Sequence, residues 1–304
     1  MVRIAEYISV KKCVLMPQRF LSIVLLSALT ASGCEMFSQP IDPTETPSSA
    51  IMNYTAVGAS DTSGYGSSVF CLPYVLTCPP DSTGYVQIMS RRAQANGKTV
   101  TLNILGIPGA VLSQEIQDIG RDIGLAVPAN ALDQEVPFVP KDSTVVTVFL
   151  GANDVNAIGK AVLAGKAGSD IEGYVNARAA SFGQDYKRLI AGIKGRAPGA
   201  RIVALNLPNM AALPYGNPYS QVERQVLQGI AVRFSAQVNA SVADGVLVMD
   251  LMCNGSLYDS GIYSADGFHP NDVGYQRIAD FVYPVLIGGS VAPPSANCSR
   301  MTVF

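Results

Sequence analysis

Apolar residues along the chain fall into short β-branched runs separated by stretches with helical spacing. Asn53 to Val57, Thr99 to Leu105, Thr144 to Leu150, Arg201 to Leu207 and Val246 to Asp250 read as strands. The third of these, Thr-Val-Val-Thr-Val-Phe-Leu, is apolar without alternation, as expected for a strand covered on both faces. A helix is predicted over Tyr85 to Ala95, closed by Asn96-Gly97 in the manner of a C-cap. A long helical region follows Asp154 and closes with Tyr186, Leu189, Ile190 and Ile193 on one face before Pro198-Gly199. Ser220-Gln221-Val222-Glu223 is a capping-box pattern, and Val226, Leu227, Ile230, Phe234 and Val238 continue it at helical spacing. Ile278, Val282 and Val285 mark a last helix that begins near Asn271 or Asp272, after Pro270. Residues 110–142, rich in Asp, Pro and Ala, read as loop. This alternation predicts an α/β fold, a parallel sheet between two layers of helices, whose functional residues collect beyond the carboxyl ends of the strands.

Composition narrows the class. The 304 residues are 48% hydrophobic and 14% charged, with a formal charge of −2, which suits one large globular domain and gives no basic surface for nucleic acid. The N-terminus departs from the rest. Lys11, Lys12 and Arg19 precede the apolar run Leu21 to Leu29 and the small residues Ala31-Ser32-Gly33, so residues 1–33 read as an export signal. Cys34 directly after them resembles the lipidated first residue of a bacterial lipoprotein, although Ala31 stands where leucine is usual, and plain secretory cleavage near Gly33 is the alternative. Residues 34–50, rich in Pro, Ser and Thr, then form a tether, and the folded domain spans 51–304. Export permits disulfides. Cys71, Cys78, Cys253 and Cys298 allow three pairings; nearness in sequence favours Cys71–Cys78, which leaves Cys253–Cys298.

His269 is the only histidine, so a metal site of several histidines is excluded and any imidazole base must be this residue. It lies in Asp266-Gly267-Phe268-His269-Pro270, where a carboxylate three residues earlier can hold one ring nitrogen and leave the other to take a proton from a hydroxyl. A solvated surface loop would contain the same residues. Other polar turns follow predicted strands: Gly58-Ala59-Ser60, Gly106-Ile107-Pro108-Gly109 and Gly151-Ala152-Asn153-Asp154.

Taken in order, these four segments resemble the sequence blocks of the SGNH (GDSL-type) hydrolases, over residues 53 to 285. The resemblance implies a flavodoxin-like three-layer α/β/α sandwich with a central, mainly five-stranded parallel sheet. It further implies a serine esterase or lipase that needs no cofactor, with Ser60 as nucleophile, His269 as base and Asp266 orienting it. The oxyanion would be held by the backbone N–H groups of Ser60 and Gly109 and by the Asn153 amide. One departure is plain: the family commonly has Gly-Asp-Ser, and here the middle residue is Ala59. Asp61, one residue on, reads as a turn former rather than a substitute. The rival α/β-hydrolase pattern, Gly-x-Ser-x-Gly after several strands, does not match a serine on the first strand.

The loops at 61–84, 110–142, 208–219 and 254–265 would rim the site. They carry Phe70, Leu72, Tyr74, Val75, Leu76, Phe138, Tyr215, Tyr219, Tyr258 and Tyr263, which favours an acyl or lipid ester as substrate unless those residues merely pack the loops down. A carbohydrate acetylesterase and a catalytically silent envelope binding module are the alternatives. The membrane enters as a partner only through the anchor expected at Cys34.

Overall fold

The computed structural model describes residues 50–75 and 77–304. The expected signal segment, Cys34, the tether up to residue 49 and Leu76 lie outside the described residues. The five predicted strands all form: β1 (Ile51–Gly58), β2 (Thr99–Ile104), β3 (Val145–Phe149), β4 (Arg201–Leu205) and β5 (Leu247–Met249). They make one parallel sheet in the order β2-β1-β3-β4-β5, the flavodoxin-like arrangement. All five residues of β3 are buried, as an apolar run without alternation requires.

Among the described residues eight α-helices accompany the sheet: α1 (Ser60–Ser63), α2 (Tyr85–Ala95), α3 (Gln114–Asp122), α4 (Ala131–Gln134), α5 (Ala152–Leu163), α6 (Ile171–Arg196), α7 (Gln221–Ala240) and α8 (Asp272–Leu286). Helices α2 and α8 pack together, while α3, α5, α6 and α7 form a second contiguous set. The capping box at Ser220 and Glu223 is present, and Asn271 caps α8 by accepting from the N–H groups of Val273 and Gly274.

Two expectations are corrected. The helical region after Asp154 is two helices, broken at Gly165 and Gly168, both with positive φ, and restarted at Asp170, whose side chain caps α6. Residues 110–142 are not all loop, since α3 and α4 lie within them. Ile116 and Ile119 of α3 lean on the core at helical spacing, a short signal hidden among polar residues.

Register decides what the strands deliver. Gly58 of β1 stands opposite Phe149 of β3, Phe149 opposite Leu205 of β4, and Leu205 opposite Met249 of β5. The carboxyl ends of four strands are therefore level, and the loops that leave them share one rim. Strand order reverses between β1 and β3, where a crevice opens in such sheets, and Ser60 and Asn153 leave the sheet on its two sides. Both expected disulfides form, Cys71–Cys78 and Cys253–Cys298. The second fastens the C-terminal tail, which Gln228 of α7 also holds through the backbone of Val303 and Phe304.

Candidate active site

Beyond β1 the chain turns at Gly58-Ala59 and enters α1, which begins with Ser60. Glycine is required at 58: a Cβ there would lie 2.3 Å from the Phe149 carbonyl oxygen on the neighbouring strand. The turn leaves Ser60 4% exposed, with its Oγ 2.7 Å from His269 Nε2 although the two residues are 209 apart in sequence.

His269 is held from several sides. Its Nδ1 lies 2.6 Å from Asp266 Oδ2. Asp266 Oδ1 accepts from the Ser264 hydroxyl at 2.8 Å and from the backbone N–H groups of Phe268 at 2.8 Å and His269 at 2.9 Å. Partial burial by itself would raise the Asp266 carboxyl, but the hydrogen bonds from the His269 ring and backbone, from Phe268 and from Ser264 outweigh it and hold the group down at about 2. An ionised Asp266 can only accept, so Nδ1 carries the proton and Nε2 of the neutral ring is left as acceptor for the Ser60 hydroxyl. The Tyr65 and Phe268 rings meet the imidazole edge-on, each with its centroid 4.8 Å away. The solvated-loop reading of this segment does not describe a histidine whose side chain is 13% exposed.

The other two turns meet beside Ser60. Asn153, in the first turn of α5, donates from Nδ2 to the carbonyl of Ala110 at 2.9 Å, which ties it to the residue after Gly109. Gly109 has φ +83, and the Pro128 ring lies 3.1 Å from where a Cβ would stand, so glycine suits both the backbone and the space. Among the described residues, neither the Ser60 nor the Gly109 backbone N–H has an acceptor within the protein. Asp154, next to Asn153, is fully buried and accepts from the Leu112 N–H at 2.8 Å. Residues 106–112 are thus fastened to the start of α5 at two points.

Three carboxyl groups stand out as residues whose part the sequence did not reveal. Asp154 was legible only as the end of its block. Glu135, after α4, is fully buried and accepts from the Gly58 N–H at 2.8 Å. Asp61 does form the turn, its carbonyl accepting from Gly64, yet its side chain is also buried, with Tyr275 Oη 3.4 Å away, and burial pushes its carboxyl up. Glu135 and Asp61 offer no periodic or spacing signal. An acid between Ala131-Leu132 and Val136-Pro137-Phe138 is the only hint for the former.

Burial raises Glu135 to about 8 and Asp154 to about 7, against the opposing effect of their backbone hydrogen bonds. Because the folded state keeps protons that the unfolded chain releases near pH 4, these groups stabilise fully below that pH. Their contribution is lost as pH rises toward 7 to 8. Urea unfolding of Asp154→Asn should therefore show a stability difference between pH 5 and pH 8 smaller than wild type by about 2 kcal/mol. An unchanged difference would mean that Asp154 titrates normally in the fold.

Among the described residues, no group of three or more His, Cys, Asp or Glu side chains is placed to hold a metal ion.

Residues 56–277 match the model of the GDSL-like Lipase/Acylhydrolase family, a span that contains all four turns. The chain belongs to the GDSL-like lipase/acylhydrolase family. It is accordingly a carboxylic ester hydrolase. Solved structures with this fold include phospholipase A1 from Streptomyces albidoflavus NA297, at 20% identity and a TM-score of 0.51, covering 77% of this chain and 98% of that one. The lipase Lip_vut3 from a goat rumen metagenome is 18% identical with a TM-score of 0.49, covering 79% of this chain and 98% of that one. A variant of Axe2, an acetyl xylan esterase from Geobacillus stearothermophilus, is 14% identical with a TM-score of 0.49, covering 80% and 99%. A comparison with curated proteins finds none that matches. Relative to the family's common Gly-Asp-Ser, this GDSL-like hydrolase keeps the serine and places Ala59, 5% exposed, in the aspartate position.

Proposed function

We propose that this hydrolase cleaves acyl esters through a covalent acyl-enzyme at Ser60, and the observation that carries the reading is the 2.7 Å contact of Ser60 Oγ with an imidazole anchored by Asp266. Ser60 Oγ attacks the carbonyl carbon while its proton passes to His269 Nε2. The imidazolium is stabilised by Asp266, and the carbonyl oxygen, now negative, is received by the Ser60 and Gly109 N–H groups and the second N–H of Asn153 Nδ2. Collapse expels the alcohol, which takes the proton from His269. Water then repeats the cycle against the acyl-serine and releases the carboxylic acid.

The substrate reading rests on the rim. Tyr65, Phe70, Leu72, Tyr74, Val75 and Phe138 are exposed, and Tyr74 and Phe138 meet edge to face at 6.1 Å. Exposed Phe70 meets Tyr65 at 5.8 Å between centroids, and the Tyr65 ring touches His269, so apolar surface next to the imidazole favours an acyl chain or lipid over a polar sugar. The remaining aromatics pack loops down: Tyr258 Oη donates to the Met252 carbonyl, Tyr263 Oη to that of Leu257, and Tyr215 Oη to Asn156. The alternative reading is a carbohydrate acetylesterase, which would use the same serine and histidine on a short acyl group. The proposed setting is the cell envelope or exterior, with lipid on Cys34 as the link to a membrane.

Initial rates on p-nitrophenyl esters of two to sixteen carbons decide between the readings. Rates that hold or rise beyond eight carbons support the exposed rim as acyl surface. Rates confined to two to four carbons move the assignment to the carbohydrate acetylesterase, and none on any of these esters by folded protein would favour a polar glycan substrate or the silent binding module.

A further inference from the structure

The turn that presents Ser60 lacks an acid of its own at position 59, yet a carboxyl group reaches it from elsewhere in the chain. Glu135 follows α4, is fully buried, and places Oε2 2.8 Å from the Gly58 N–H and Oε1 3.4 Å from the Ile107 N–H. Gly58 lies two residues before Ser60, and Ile107 two residues before Gly109. The two loops are also in direct contact: a Cβ on Gly106 would stand 3.0 Å from the Ala59 carbonyl oxygen and 2.7 Å from Thr62 Cβ. Among the described residues no cation pairs with Glu135. The titratable neighbour facing it is Tyr74, whose hydroxyl donates to the carbonyl of Gln134 and so closes the Cys71–Cys78 loop over this corner. An apolar side chain of the same volume would fill this corner but leave the Gly58 N–H without an acceptor. What this group does that an apolar one would not is to join the ends of β1 and β2 by hydrogen bonds.

We propose that Glu135 is a positioning residue: by accepting from Gly58 and Ile107 it sets the separation of the Ser60 and Gly109 N–H groups, and it supplies from outside the motif the carboxyl group that Ala59 leaves out. The proposal rests on the acyl-enzyme reading of the site for its consequence, and on geometry alone for the clamp. A displacement of either loop misplaces two oxyanion donors at once, which affects the transition state more than the bound ester.

The experiment compares Glu135→Ala and Glu135→Gln with wild-type protein by amide hydrogen exchange and by kinetics on p-nitrophenyl acetate. In Glu135→Ala, exchange should quicken in peptides covering residues 56–60 and 105–110 while β3 and β4 stay protected. The same variant should lose about 10- to 100-fold in kcat, with KM changed less than about threefold. Glu135→Gln keeps a carbonyl oxygen for Gly58 and should recover most of the loss, which a mere volume filler does not predict. Wild-type exchange in both segments of both variants overturns the clamp. Faster exchange across the whole sheet, with activity following the folded fraction in near-ultraviolet circular dichroism, overturns the positioning role in favour of a purely structural one. Failure of the acyl-enzyme reading is seen separately, as wild-type turnover that does not depend on Ser60, and it leaves the exchange result to decide the clamp.

Discussion

Replacing Ser60 by alanine should lower ester turnover by about 10⁵- to 10⁶-fold and leave the fold intact. The side chain is small and its Oγ meets His269 Nε2, so the change removes one hydroxyl and opens little space. That hydrogen bond contributes only about 1 kcal/mol to folding, whereas in the proposed mechanism its oxygen forms the acyl bond. His269→Ala should cost nearly as much, and the double variant little more than either alone, because the two side chains act as one unit. Residual catalysis of about 10³-fold over water is expected from the oxyanion donors, which neither change removes. The measurement is initial rates on a p-nitrophenyl ester, with circular dichroism to confirm folding. Mass spectrometry after treatment with a fluorophosphonate should find the adduct on Ser60 in wild type and none in Ser60→Ala. A folded Ser60→Ala that retains a tenth of wild-type turnover would remove Ser60 from the mechanism.

Asn153→Ala should cost about 100- to 1,000-fold in kcat with KM little altered, the expected effect of losing one oxyanion donor. The structure adds a second reason. One N–H of Asn153 Nδ2 already serves the Ala110 carbonyl, so the side chain both fixes the Gly109 loop and keeps a donor for the substrate. In the proposed mechanism its loss removes one donor and loosens the loop that carries another. Asp154 still holds Leu112, so residues 106–112 keep one anchor and the fold should survive. Equal kcat in wild type and a folded Asn153→Ala would show that the backbone donors suffice.

The fold was legible because each strand is a short β-branched run and each long helix carries its own stop or cap. Gly97 after α2, the Ser220 capping box before α7 and Asn271 before α8 act within a few residues, which is the range a local pattern reports. The break between α5 and α6 was legible in principle, since Gly165, Gly168 and Asp170 are breaker and cap residues. The apolar rim divided in a way no pattern could show. Phe70 and Leu72 stay exposed, while Tyr215, Tyr258 and Tyr263, like the half-exposed Tyr74, turn their hydroxyls to acceptors inside the protein.

By itself, the amino-acid sequence determined the α/β class, the single histidine and its partner Asp266, the serine after β1 and the order of the four turns. All of these depend on residue identity and on contacts between near neighbours along the chain. Only the tertiary structure decided which groups surround them. A buried acid 77 residues from Gly58 reaches its N–H, Asp154 takes hold of Leu112 from another strand end, and the Asp61 side chain turns inward toward Tyr275. The reason is register: parallel strands level at Gly58, Phe149, Leu205 and Met249 gather loops that are far apart in sequence. A carboxyl group pairs with whatever donor the packing brings within 3 Å, and the chain leaves no periodic trace of that choice.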